Sequence, residues 1–112
     1  MAAACYKVLT LSVVAAAALS QYRAVNAAGA VPGAGARSLG VTDYAVGAGE
    51  RVSVAVLGTA IAEAGAAFAI DAALELDSLG RFITKNAGAT VARALTAAGG
   101  AGNLVEILLI PN

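Results

Sequence analysis

The stretch RVSVAVL at residues 51–57 decides the fold, because its residues alternate strictly between two sets. One face of a strand would carry Val52, Val54 and Val56, and the other would carry Ser53, Ala55 and Leu57. A period of two residues is typical of a β-strand. Gly58 follows this stretch and is expected to end the strand, after which Thr59–Glu63 forms a further candidate strand.

Short segments of the same kind recur on both sides of this stretch, separated by glycines and small residues. The further candidate strands are Val8–Val14, Tyr22–Asn26, Leu39–Thr42, Ala66–Ile70, Ala73–Leu76, Arg81–Lys85, Thr90–Ala98 and Asn103–Ile110. Thr90–Ala98 also fits a helix that ends at Gly99, but its alternation favours a strand. Asn103–Ile110 is almost continuously apolar, which predicts burial on both faces.

Turn signals between these segments predict how the strands connect. Asp77-Ser78-Leu79-Gly80 has Asp at the first and Gly at the last position of a β-turn, so the flanking strands should form a hairpin. Short strands with Gly-rich turns at regular spacing predict an all-β fold, either a small single-domain β-barrel or a sandwich. We expect one domain over residues 1–112, with residues 1–7 as an N-terminal arm. No strong internal repeat is visible in the sequence.

The composition points to a protein that works in an assembly. Hydrophobic residues make up 60% of the chain, and alanine is the commonest. Charged residues make up only 12%, against about 25% in an ordinary soluble domain. A subunit with so few charges leaves a broad apolar surface, and such surfaces mark interfaces. The sequence therefore predicts a homo-oligomer.

The charges exclude nucleic acid as a partner, and the apolar runs argue against a membrane span. Seven basic and seven acidic residues give zero net charge, and the basic residues are scattered singly. The basic patch that neutralises phosphates is therefore missing. The apolar run Val8–Leu19 is shorter than the ~20 residues that a transmembrane helix needs.

The side chains that carry most enzyme chemistry are scarce. The chain has no histidine, its only cysteine is Cys5, and no phosphate-binding loop motif is present. Asp71, Glu75 and Asp77 lie close in sequence, but they flank the predicted turn, where solvated carboxylates are the rule. We therefore expect that the protein is not an enzyme and that it has no catalytic residue, no cofactor and no metal site.

An alternative interpretation starts from the same N-terminal segment. Lys7, the apolar run Val8–Leu19 and the small-residue pattern Val25-Asn26-Ala27 together resemble a secretory signal. On that interpretation the chain is a small secreted or envelope-associated β protein. The alternation of Leu9, Leu11 and Val13 with polar residues favours a strand instead.

Nearly the whole chain resembles a family of small tailed-phage head proteins, the capsid cement or decoration proteins (domain of unknown function 2190). The resemblance is carried by LGVTDYAVGAGERVSVAVLG (39–58), AIAEAGAAFAIDAALELDSLGRFIT (60–84), VARALTAAGGAG (91–102) and NLVEILLIP (103–111), with SVVAAAALSQYRAVNAAGAV (12–31) similar to the family's opening strand and turn. The family offers no catalytic residues to carry over to this chain.

The resemblance implies a structural protein of the virion. Such proteins bind the outside of the mature head and stabilise the shell, as small oligomers, often trimers, on the major capsid protein. It implies a location on the capsid surface, after assembly in the host cytoplasm. We expect the capsid contact in a rim loop or in the N-terminal arm, at Ala2, Ala3, Ala4, Cys5, Tyr6 and Lys7.

Overall fold

The longest strand of the fold runs from Arg51 to Glu63 and connects the two halves of the sheet. Its first half pairs with residues 7–14 and 40–42, and its second half pairs with residues 104–109. In the computed structural model, which describes residues 6–112, eight strands form one antiparallel sheet. They are β1 (Lys7–Val14), β2 (Ala24–Val25), β3 (Gly40–Thr42), β4 (Arg51–Glu63), β5 (Ala73–Leu76), β6 (Phe82–Thr84), β7 (Ala92–Ala94) and β8 (Leu104–Leu109). The order is β2-β3-β4-β8-β7-β5-β6, and β1 pairs with β4 outside this path.

The sheet curls until it almost closes into a barrel. Its last strand, β6, returns to the end of β4, where Phe82 bridges Ala64 and the N–H of Gly65 donates to the Phe82 carbonyl at 2.8 Å. None of residues 6–112 is helical. The all-β prediction is therefore confirmed, and of its two alternatives the structure has the barrel. Within this described part, no helix is long and apolar enough to cross a membrane.

The expectation that Gly58 ends a strand is wrong. Residues 51–57 and 59–63 belong to one continuous strand, and Gly58 lies within it with φ +96°. The pairing of β1 with β4 shifts register on either side of Leu9, which is the irregularity of a β-bulge. A glycine inside a strand often marks such a bulge, because it accepts a positive φ without the cost of a Cβ.

Most of the other predicted strands are present, but several are shorter than expected. β5 and β6 form the predicted hairpin, and Asp77 accepts hydrogen bonds across the turn. Thr90–Ala98 contains the short strand β7, while Ala66–Ile70 contributes only a single bridge, at Phe68. The prediction that Asn103–Ile110 is buried on both faces is wrong, because Leu104 and Leu108 lie exposed on the outer face of β8.

Two hydrophobic clusters form the core, and alanine fills much of the larger one. The larger cluster lies inside the barrel around Phe82, Leu74, Leu76 and Ile107, and eight of its 17 members are alanines. The smaller cluster is built from Ala15, Leu19, Val25, Val52 and Val54. Each buried alanine contributes less than the ~1.5–3 kcal/mol of a large apolar side chain, so the few large ones matter most.

The backbone repeats itself although the sequence does not. Residues 6–57, here called unit 1, and residues 58–110, here called unit 2, make the same main-chain hydrogen bonds at matching positions. Matching bonds include Ala15–Glu50 and Ala64–Asn103, Leu19–Val46 and Phe68–Ala98, Tyr22–Thr42 and Asp71–Ala94, Thr42–Arg23 and Ala94–Ala72, and Asp43–Ser53 and Leu95–Glu106.

Backbone angles and core residues obey the same correspondence. Tyr22 and Asp71, the only described non-glycine residues with positive φ, occupy equivalent turns at φ 65° and 68°. The smaller cluster has counterparts in the larger one: Ala15 and Ala64, Leu19 and Phe68, Val25 and Leu74, Val52 and Val105, Val54 and Ile107. The fold is therefore an internal duplication, and β4 is the last strand of unit 1 and the first strand of unit 2.

Candidate functional site

β1 forms an apolar edge on the surface of the molecule. It pairs with β4 on one side, and no strand of residues 6–112 pairs with its other side. All its residues are exposed except Val13, which is partly buried. The exposed large apolar side chains on and beside the strand are Tyr6, Val8, Leu9, Leu11 and Val14, and Val8 reaches 77% exposure. This group is here called the β1 edge patch.

The main chain of β1 offers unused hydrogen-bonding groups along that edge. The N–H of Ala15 donates to the Glu50 carbonyl at 2.8 Å. This bond shows that the main-chain groups of Ala15 and of every second residue before it point toward β4. In an antiparallel pair the N–H and C=O groups of successive residues point to opposite sides. Those of Thr10, Ser12 and Val14 therefore point away from β4. At Thr10 and Ser12 they point toward solvent, whereas the Val14 carbonyl lies against the backbone of Gly29.

Two of the six predicted capsid-contact residues fall within the described residues, and both are attached to the barrel. The N–H of Tyr6 donates to Thr59 Oγ1 at 2.7 Å, and the Tyr6 carbonyl accepts from the N–H of Thr59 at 3.0 Å. Lys7 begins β1, and its Nζ lies 2.7 Å from Asp43 Oδ1. The tyrosine side chain itself remains 70% exposed.

The other four predicted contact residues, Ala2, Ala3, Ala4 and Cys5, lie outside the described residues. The contact remains a prediction for all six. Of this segment the structure places Tyr6 and Lys7, beside the bulge at Gly58 and at the start of the β1 edge patch.

The three carboxylates near the β5–β6 turn each have a separate structural role. Asp71 pairs with Arg93 at 3.1 Å on the surface, and Asp77 Oδ1 accepts the N–H groups of Leu79 and Arg81, both at 2.9 Å. They do not converge on one point. Within residues 6–112, no three side chains of the types His, Cys, Asp and Glu are grouped so that they could hold a metal ion.

Glu75 is the third of these carboxylates and is held by the loop that follows β6. Its Oε1 accepts hydrogen bonds from the N–H groups of Asn86 and Gly88. These two bonds, that of Asn86 first, hold the pKa of Glu75 below its ordinary value, and Lys85 contributes a smaller effect in the same direction. The carboxylate thus fastens the Asn86–Gly88 loop to the barrel.

Glu63, at the end of β4, pairs with arginines of its own chain. Its carboxylate lies 3.2 Å from Arg23 Nε and 3.9 Å from Arg81 Nη1. Arg23 belongs to unit 1 and Arg81 to unit 2. This carboxylate therefore ties the two units together at a place where the N–H of Glu63 also donates to the Tyr22 carbonyl at 2.9 Å.

Two surface cavities lie near the strands, and both are small. One, of about 170 Å³, is lined by residues that include Lys7, Tyr22, Asp43 and Ile61. The other, of about 180 Å³, lies near Arg37 and Asn112. Pockets for small ligands usually measure ~300–1,000 Å³. These cavities give no support to a ligand-binding barrel, so the β1 edge patch is the best candidate for a functional surface.

The sequence interpretation missed this patch, although a signal for it exists. It treated residues 8–14 as an ordinary strand and said nothing of its exposure. The missed signal is that no residue from Val8 to Tyr22 is charged, whereas exposed edge strands are commonly protected by charged residues. Which edge of β1 stays unpaired could be learned only from the sheet order.

Comparison with known proteins places these features in a family context. The sequence model of a family described as phage cement protein matches residues 4–109, which is almost the whole chain. Among solved structures, the N base of the head fiber gp8.5 in bacteriophage phi29 superposes with a TM-score of 0.71. The two sequences are 14% identical, and the match covers 91% of this chain and 93% of the other, so the likeness shows a shared fold. A search among proteins of curated function finds no significant match.

Proposed function

The chain belongs to the phage cement protein family and is a capsid-associated structural protein; we propose that it binds the outside of the mature head and stabilises the shell there. The family match over residues 4–109 carries this proposal. It favours the capsid interpretation over the secreted alternative, and the strand at β1 agrees with it.

The proposed partner is the major capsid protein, and the proposed active form is a small homo-oligomer, with a trimer favoured. One barrel measures 36 × 27 × 23 Å, so a single subunit can cover only a small area of a capsid. Linked copies bind with greater avidity, because the first contact raises the effective concentration of the next. Apolar surface such as the β1 edge patch favours association between subunits.

The proposed capsid contact is the N-terminal segment, residues 1–7. Tyr6 is bonded to Thr59 through its main-chain N–H, while its ring is exposed. Aromatic side chains are enriched at interfaces because they bury a large area at low conformational cost. If the contact site on the capsid forms only when the immature shell expands, the protein binds the mature capsid in preference to the immature one. The preference equals the difference between its affinities for the two capsid states.

The experiment that tests the function is co-sedimentation of the full-length protein with mature capsids of its own phage that lack the protein. We expect saturable binding at a copy number that matches the symmetry of the shell. Bound capsids should also withstand heat or loss of divalent ions better than bare ones. Absence of binding by the folded protein would refute the proposed function.

Two variants test the proposed contact without disturbing the barrel. Deletion of residues 1–5 and Tyr6→Ala both leave the main-chain bonds between Tyr6 and Thr59 available. We expect weaker capsid binding and an unchanged Tm in both. Ile70→Ala is the matched control, because Ile70 is 61% exposed and lies in unit 2, far along the chain from the contact segment. Equal binding by all three variants would show that the contact lies elsewhere.

A further inference from the structure

The duplication shows what can cover the outer edge of β1. Counted back from the equivalent residues Ala15 and Ala64, Val14 matches Glu63 and Thr10 matches Thr59. Residues 59–63 of β4 are therefore the counterpart of β1 in unit 2. The same edge thus occurs twice in one chain, and its surroundings in the two units can be compared directly.

In unit 2 this edge is covered by main chain from unit 1. The N–H of Thr59 donates to the Tyr6 carbonyl at 3.0 Å, and the N–H of Glu63 donates to the Tyr22 carbonyl at 2.9 Å. A copy of the repeated unit thus already satisfies two N–H groups of this edge inside the molecule, those of Thr59 and Glu63. In unit 1 the equivalent edge pairs with no strand of residues 6–112. Gly29 lies against the Val14 carbonyl, but the edge at Thr10 has no such cover among the described residues.

The uncovered edge also lacks the features that keep strands apart. Proteins protect exposed edges with lysines, prolines or bulges along the strand. From Thr10 to Val14 the register with β4 is regular, and this segment carries neither a charge nor a proline. Leu9, Leu11 and Val14 add exposed apolar surface on both faces. An edge of this kind recruits a further strand through main-chain hydrogen bonds.

We propose that the outer edge of β1, at Thr10 and Ser12, pairs with main chain of a second copy of this protein. The occupant is a second copy because a copy of the unit covers the equivalent edge within the chain. Between Thr10 and Val14 the strand itself carries no charged side chain that would oppose the approach of a second chain. This inference rests on the proposed function for its setting, since it names the surface that joins the subunits of the capsid-bound oligomer.

Ser12→Pro tests the inference at one atom. The N–H of Ser12 points away from β4, so proline removes an outward donor and leaves the β1–β4 hydrogen bonds in place. Ser12→Ala is the matched control, since both variants lose the hydroxyl that accepts from Arg51 Nη1, but alanine keeps the N–H. We expect Ser12→Pro to raise the dissociation constant between subunits about tenfold or more, and Ser12→Ala to change it little.

A second pair of variants covers the case in which Ser12→Pro does not fold. Thr10→Lys places a charge on the edge, and Thr84→Lys places one on an exposed position of β6. We expect only the first to dissociate the oligomer. Mass is measured by sedimentation velocity from low to high micromolar concentration, and folding is checked by the cooperativity of urea unfolding.

Capsid co-sedimentation of the same samples separates this inference from the proposed function. The edge contact is supported if Ser12→Pro or Thr10→Lys is folded but monomeric while the matched controls Ser12→Ala and Thr84→Lys remain oligomeric. Wild-type protein that stays monomeric at every concentration overturns it, as does a folded edge variant with unchanged mass, even if capsid binding is normal. If the wild-type protein forms an oligomer but does not bind capsids, the proposed function is refuted and the edge contact is not.

Discussion

Replacing Phe82 by alanine should destabilise the protein more than any surface change, because this ring closes the barrel. Phe82 is fully buried, pairs with Leu76 across the hairpin and bridges Ala64 at the end of β4. The chain has only two phenylalanines and no tryptophan, and the neighbouring core is rich in alanine. Small rigid neighbours cannot move far enough to fill the space, so we expect a loss of ~3–5 kcal/mol in the free energy of unfolding.

That loss converts into a measurable shift in Tm. An unfolding entropy of about 2.1 cal/mol/K per residue gives roughly 0.24 kcal/mol/K for the 112 residues of this chain. The midpoint should therefore fall by about 13–21 °C. Since a native protein has only ~5–15 kcal/mol of stability in total, the variant should be near its folding limit at 37 °C.

The assay is urea unfolding of Phe82→Ala and of Leu79→Ala, followed by a thermal scan. Protein concentration is held constant, because association stabilises the folded state and shifts Tm. Leu79 lies in the adjacent turn and is 49% exposed, so its truncation should cost less than about 1 kcal/mol. A loss below about 1.5 kcal/mol for Phe82→Ala would refute the reasoning, because it would mean that the alanine-rich wall can collapse onto the vacated space.

Three further changes test other parts of the structure. In Gly58→Ala the new Cβ would collide with the Tyr6 carbonyl, and alanine would be strained at the φ of +96° found there. The free energy of unfolding should therefore fall by about 1–3 kcal/mol, and hydrogen exchange of the Thr59 amide, which donates to Tyr6, should become faster. Unchanged protection of that amide would contradict this prediction. Because the folded pKa of Glu75 is lowered, its carboxylate stabilises the fold above about pH 4.3 and loses that effect as the pH falls through the lowered pKa. Glu75→Gln should therefore be less stable than wild type in urea at pH 7, and the gap should narrow in acid; a constant gap would exclude the ionised form as the cause. Arg23→Gln should cost up to about 1 kcal/mol, and less in high salt, because the Glu63 pair is partly exposed; a loss independent of salt would point to packing instead.

Much of the fold could be predicted from local sequence patterns. The alternation at residues 51–57, the hairpin turn at Asp77–Gly80 and the apolar run at 104–109 all occur where a period of two or a favoured turn residue acts within a few positions. The continuity of β4 could not be predicted in this way. Gly58 ends a strand or forms a bulge depending on whether β1 pairs across it, and that pairing joins residues about 50 positions apart.

The internal duplication could not be predicted from the sequence either. Its two units agree in main-chain bonds and in positive-φ turns, while the residues at matching positions differ, as Tyr22 and Asp71 do. Hydrogen bonds between backbone groups need no particular side chain, so a fold can repeat after the sequence resemblance has disappeared. Only a few small apolar residues, such as Ala15 and Ala64, are the same in both units.

The class of the protein could be inferred from the amino-acid sequence alone: all-β, weakly charged, poor in chemistry-bearing side chains, and similar to capsid cement proteins. The first three properties depend on composition and on short-range periodicity, whereas the resemblance depends on the segments between residues 12 and 111 quoted above. Only the tertiary structure decided which apolar residues stay exposed and which strand edge stays unpaired. Val8, Leu11 and Val14 resemble core residues in sequence, but they lie on the surface because β1 has a neighbour on one side only. Burial and pairing are properties of the whole sheet, so the surface that we propose to join one copy to the next appears only when the sheet is assembled.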